Sequence, residues 1–308
     1  MKRSLFSCLF LCTLFILCLS LAPLCACVQV DTEKDSSLTV QYKYEDDLYE
    51  GLSINVYKIA EVMPDGTFKL TEEFKDYHID LYGVASQEEW KTVTSTACAY
   101  IEADSISPTL SLVTDSEGKA IAENIKPGLY LTTSVKVVTE DKTVIFDNFL
   151  TVIPDKNEDG TYNYDLTVYP KVTSYTPTGK DIEYKVIKLW KDADASEDRP
   201  ESVKVEIFCN GELAYSENLS AENNWTYKWS AKDNGDSWTV CERDVDEAYN
   251  VSSEREGNTF IITNTLRTPP GDGAQTGDLI AGWPFIACVL LIGVVTVAVI
   301  IWRRGRSK

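Results

Sequence analysis

Between residues 181 and 266 apolar and polar positions alternate with period two, as they do in strands that lay one face on a core. Ile182, Tyr184, Val186, Lys188 and Trp190 share one face of a first strand, and Val203, Val205, Ile207 and Cys209 share a face of another. Trp238, Val240 and Glu242 fall on one face of a third, and Phe260, Ile262 and Asn264 on one face of the last. Two layers of such strands make a small β-sandwich. Upstream, residues 38–42, 52–57, 144–146 and 166–169 carry β-formers between turn signals. Trp90, Val93, Ala97, Tyr100 and Ile101 recur at helical spacing between Ser86 and Asp104, which predicts one amphipathic helix. Asp65-Gly66, Asp159-Gly160 and Asn210-Gly211 read as turns. The expected fold class is mainly β: two tandem β-sandwich domains, the first with an inserted helix.

The alternation sets a puzzle. Lys188, Glu242 and Asn264 all fall on the parity of the buried face. A lone charge is costly to bury, so the trio must be paired or reacted. A slipped register would leave all three exposed. A buried salt bridge beside an amide is a second reading, and a covalent reaction among them is a third.

The two ends are apolar. Residues 1–27 run from Lys2 and Arg3 through an uncharged stretch to Cys25-Ala26-Cys27, the layout of a secretory signal peptide with cleavage expected after Ala26. Leu24-Cys25-Ala26-Cys27 also has the outline of a lipidation site at Cys27, a weaker reading than simple cleavage. Residues 279–302 hold no charge. At 1.5 Å per residue they reach about 36 Å, enough for a transmembrane helix. Arg303, Arg304, Arg306 and Lys308 follow as a basic cytoplasmic tail in residues 303–308. Ser174-Tyr175-Thr176-Pro177-Thr178-Gly179-Lys180 reads as a linker, and Thr268-Pro269-Pro270-Gly271 opens a stalk. The expected domains are thus 28–173 and 182–266, with a linker at 174–181 and a stalk at 267–278.

Composition narrows the chemistry. The 308 residues carry a net charge of −19, which disfavours binding to nucleic acid. A single histidine, His78, rules out a multi-histidine zinc centre and leaves little room for histidine-based catalysis. No metal site, cofactor site or phosphate loop is expected, and no turnover enzyme. Of nine cysteines, only Cys98, Cys209 and Cys241 lie between the apolar ends, so no disulfide framework reinforces an exported chain. Cys209 and Cys241 are expected to be free thiols, with Cys241 pointing away from the side of Glu242.

The stretches Val186-Ile187-Lys188-Leu189-Trp190, Arg199-Pro200-Glu201-Ser202-Val203, Asn223-Asn224-Trp225-Thr226-Tyr227, Trp238-Thr239-Val240-Cys241-Glu242 and Ile261-Ile262-Thr263-Asn264-Thr265 follow one another in order. Together they resemble the Cna B-type domain of Gram-positive surface proteins. The resemblance implies an internal isopeptide bond between Lys188 and Asn264, assisted by Glu242. Gly273-Ala274-Gln275-Thr276-Gly277-Asp278, then the apolar span and basic tail, resembles a cell-wall sorting signal, which implies sortase cleavage between Thr276 and Gly277. Gly273 and Ala274 depart from the Leu-Pro of that pattern. Val168-Tyr169-Pro170-Lys171 resembles the pilin motif of sortase-assembled pili, which implies a prealbumin-like first domain and makes Lys171 the acceptor for the next subunit.

These resemblances imply a structural cell-surface protein: a pilus subunit, or a wall-anchored adhesin with a host or matrix ligand. Its partners would be a sortase, other pilin subunits or peptidoglycan, and the membrane. The alternative is a membrane-anchored ligand-binding ectodomain, a type I receptor with no covalent assembly.

Overall fold

A computed structural model describes residues 29–138, 142–192 and 199–267. The signal sequence, Cys27, Thr276, Gly277, the apolar span and the basic tail lie outside the described residues. The described chain up to Leu266 belongs to one compact unit and is mainly β.

In the first half, strand Ser36–Gln41 pairs in parallel with Asp165–Val168 and antiparallel with Lys119–Ile125. Strand Ser53–Val62 pairs with Gly128–Thr132, which pairs in turn with Phe149–Ile153. Phe68–Leu70 and Leu110–Val113 pair with other stretches of Ser53–Val62. A third sheet joins Val135–Val138, Thr143–Phe146 and Val172–Tyr175. Pairing therefore continues to Tyr175, into the segment expected to be a linker. Every residue of Gly128–Thr132 is buried, because cores lie on both sides of it. Tyr130 faces a core of Leu38, Val40, Ile54, Val56 and Phe146, and Leu131 faces the helix.

The helix runs over Gln87–Asp104, as the spacing of its apolar residues predicts. Ser86 caps it: its side chain accepts from the Glu89 N–H, and the Glu89 carboxylate accepts from the Ser86 N–H, a reciprocal capping box. Ser105 ends it in the left-handed conformation. Val93, Ala97, Tyr100 and Ile101 are buried with Tyr57, Ile59 and Phe74 of the first half. The same cluster includes Phe208 and Cys241 of the second half, so the helix is shared by the two halves.

In the second half, a four-stranded sheet takes the order Thr226–Lys232, Asp181–Lys191, Thr259–Leu266, Tyr249–Glu256. A three-stranded sheet takes the order Glu212–Ser220, Ser202–Cys209, Trp238–Arg243. Asn210 and Gly211 both have positive φ and turn the hairpin between Cys209 and Glu212. The first and last strands of this half lie side by side in parallel, with Trp190 opposite Asn264. Val186, Val205, Ile207, Val240, Phe260 and Ile262 fill the core between the two sheets. The two-residue alternation read from the sequence is thus the observed one. Among the described residues no helix is long and apolar enough to cross a membrane.

Candidate functional site

Three polar side chains meet inside the second half. Lys188, Glu242 and Asn264 are 3%, 3% and 2% exposed, so the slipped-register reading is excluded. Lys188 and Asn264 come from the two parallel strands of one sheet, and Glu242 reaches them from the facing sheet. In the parallel register Lys188 stands opposite Ile262, two residues before Asn264, so both side chains point to the same face.

The Lys188 ammonium nitrogen lies 3.3 Å from Glu242 Oε2 and donates to the Leu189 carbonyl at 3.2 Å. The Asn264 amide nitrogen donates to Glu242 Oε1 at 2.8 Å. Glu242 is therefore the hub, bridging the amine and the amide. Desolvation pushes the Lys188 amine down to about 8, with the Glu242 carboxylate opposing the shift. Desolvation likewise pushes the Glu242 carboxyl above its usual range, against the pull of Lys188 and Asn264. Both shifts favour the uncharged pair, which is what a water-free site imposes on facing acid and base. Glu242 Oε2 meets the Lys188 nitrogen, whereas the buried Asn264 Oδ1 accepts no hydrogen bond among the described residues. A half-turn of the carboxamide brings Oδ1 to the carboxyl group, where a protonated Glu242 can donate to it.

A lid that the sequence reading did not single out covers the amine. The Trp190 ring lies 4.2 Å from the Lys188 nitrogen. Beyond it the buried Asp192 accepts two hydrogen bonds from the Arg199 guanidinium, both at 2.6 Å. That guanidinium holds the Asp192 carboxyl below its usual range. Trp190 was legible as an inward residue, and Arg199 as part of the stretch leading the second strand. Asp192 carried no signal, because a lone aspartate after a strand ordinarily reads as solvated.

The other candidate residues fall elsewhere. Lys171 is exposed, following the strand Asp165–Val168, and its carbonyl accepts from the Asp147 N–H at 2.8 Å. Cys98, Cys209 and Cys241 are free thiols. Cys241 lies on the face of its strand opposite Glu242, packed against the helix. Among the described residues no cluster of His, Cys, Asp and Glu could hold a metal ion.

The second half is thus a two-sheet module that closes on a buried lysine, acid and asparagine. Residues 184–265 match the family model of the Cna protein B-type domain. No curated protein matches the chain. Among solved structures, a single B repeat unit of the collagen-binding surface protein of Staphylococcus aureus aligns at 16% identity, covering 76% of this chain and 99% of that one, with a TM-score of 0.27. A full-length major pilin of Corynebacterium diphtheriae aligns at 12% identity over 78% of this chain and 100% of its own, with a TM-score of 0.28. A minor pilin of Streptococcus agalactiae aligns at 15% over 78% and 100%, with a TM-score of 0.26.

Proposed function

We propose that the chain is a structural cell-surface protein, built of two tandem sandwich domains and stabilised by an internal Lys188–Asn264 isopeptide bond. The observation that carries the reading is the buried trio with Glu242 as its hub. The neutral Lys188 amine attacks the Asn264 side-chain carbonyl carbon, while protonated Glu242 donates to the carbonyl oxygen. The new C–N bond forms, the old one breaks, and an amine proton passes through Glu242 to the departing nitrogen, which leaves as ammonia. The carboxyl group ends as it began. The product is a neutral amide, so the charges that made burial costly are gone. Each chain reacts once, and no turnover enzyme results.

The sorting-like segment around Thr276 and Gly277, with the apolar span after it, supports export and membrane anchoring followed by sortase transfer to the wall or to another subunit. The exposed Lys171 is the acceptor amine in the pilus form of this reading. Intact-mass measurement on residues 29–267 tests the crosslink. The expected mass is about 17 Da below the sequence sum, one ammonia. Lys188→Ala, Asn264→Ala and Glu242→Ala should each restore the full sum. A wild-type chain at full mass would overturn the reading.

A further inference from the structure

The helix of the first half closes the side of the second half on which Glu242 sits. Its Thr96, Ala99 and Tyr100 line a cavity of about 10 Å³ together with Glu242, Val251 and Ser253. That space is at the lower limit for one water molecule. The docking is specific. The buried Ser253 N–H donates to Thr96 Oγ1 at 2.9 Å, and Thr92 Oγ1 meets Glu254 Oε1 at 3.2 Å. Arg243 pairs with Asp104 at 2.8 Å. The Val251 N–H donates to the His78 carbonyl at 3.0 Å, which ties the outer edge of the four-stranded sheet to the first half. Thr96 and Ala99 are nearly inaccessible, at 3% and 2%.

From this juxtaposition we propose that the helix Gln87–Asp104 is a positioning element for the crosslink. Docked, it excludes water from Glu242, so bond formation in the second half waits on the folding of the first. The inference rests on the isopeptide reading above and adds a requirement to it. Asn264 and Lys188 face Glu242 from the paired strands, and Tyr100 faces it from the helix. Cys241 and the Arg243–Asp104 pair lie on the outer face of its own strand. Asp192, Arg199 and Tyr249 stand beyond Lys188. Without the helix, the cavity beside Glu242 opens to water on the side that Thr96, Ala99 and Tyr100 line. A hydrated Glu242 gives up its proton more readily and loses the state that polarises the amide.

The test follows crosslinking in newly made chains of residues 29–267, translated cell-free and sampled for intact mass over time at several pH values. Ala99→Gln and Thr96→Gln put neutral polar side chains into the docking surface and add no field of their own. Ala99→Ser is the conservative control. Both glutamine variants should lose ammonia about tenfold more slowly than wild type at pH 7. The ratio of wild-type to variant rate should shrink toward acid pH, where even a hydrated Glu242 is protonated, while all the rates fall together as Lys188 takes up its proton. Ala99→Ser should match wild type throughout. Equal rates at pH 7 would overturn the proposal, and so would slowing of the same size at every pH, which marks a merely damaged fold. If instead the wild-type chain never loses ammonia, the crosslink reading itself fails.

Discussion

At the scale of single residues, the second half turns on whether Lys188 is an amine or an amide. An unreacted chain keeps a titrating group there, and its sign is fixed by the direction of the shift. Burial lowers the free Lys188 amine to about 8 from an ordinary value of 10.5, and Asn264→Ala keeps that amine unreacted. Between those values the unfolded chain binds the proton and the folded chain does not, so stability rises with pH. Urea melts of Asn264→Ala from pH 8 to 10 should gain up to about 1.4 kcal/mol per pH unit. On the crosslink reading wild type should show no such gain, because its Lys188 nitrogen is then an amide. Glu242 adds a drift of opposite origin. Its raised carboxyl pKa means that the unreacted fold loses stability as pH climbs above the ordinary carboxylate range. Equal slopes in wild type and Asn264→Ala would argue that the wild-type amine is free.

At the scale of elements, the strands and the helix were legible because each obeys one period. Lys188, Glu242 and Asn264 were placed inward by parity alone, and the structure puts all three inside. The capping box at Ser86 and Glu89 was also written in the chain, though the apolar spacing located the helix without it. Ser86→Ala should cost about 1 kcal/mol, read as a lower urea midpoint. What the sequence hid is the use of the helix's second face. Thr92 and Thr96 look like solvated positions on a helix, yet Thr96 is buried because it accepts a backbone N–H from Ser253, more than 150 residues away. Cys241 is similar: an outward residue on a sandwich strand, buried by an element that alternation cannot foresee. Local periodicity reports which side of an element is apolar. It says nothing about a partner whose contacts are mixed and distant in the chain.

At the scale of the whole molecule, the shared cluster of Tyr100, Ala97, Phe208 and Cys241 couples the two halves. Independent tandem domains would melt separately. This chain should show a single calorimetric transition for residues 29–267, and Phe208→Ala should lower it as one, by about 3 kcal/mol. Two resolved transitions would sink that expectation. Assembly belongs to the same scale. If Lys171 is the acceptor, covalent ladders formed with a sortase should vanish in Lys171→Ala while the mass deficit at Lys188–Asn264 remains. Ladders that persist would move the acceptor elsewhere.

The parallel pairing of Asp181–Lys191 with Thr259–Leu266 fixes a direction as well as a neighbour. A pull outward on Asp181 and Leu266 shears that ladder along its length, so its hydrogen bonds resist together instead of opening one by one. If the proposed amide bridge joins 188 and 264, the pull passes from one strand to the other through covalent bonds. On that reading the residues between the two joined side chains would be bypassed: the core they build could loosen and close again while Asp181 and Leu266 stay tethered.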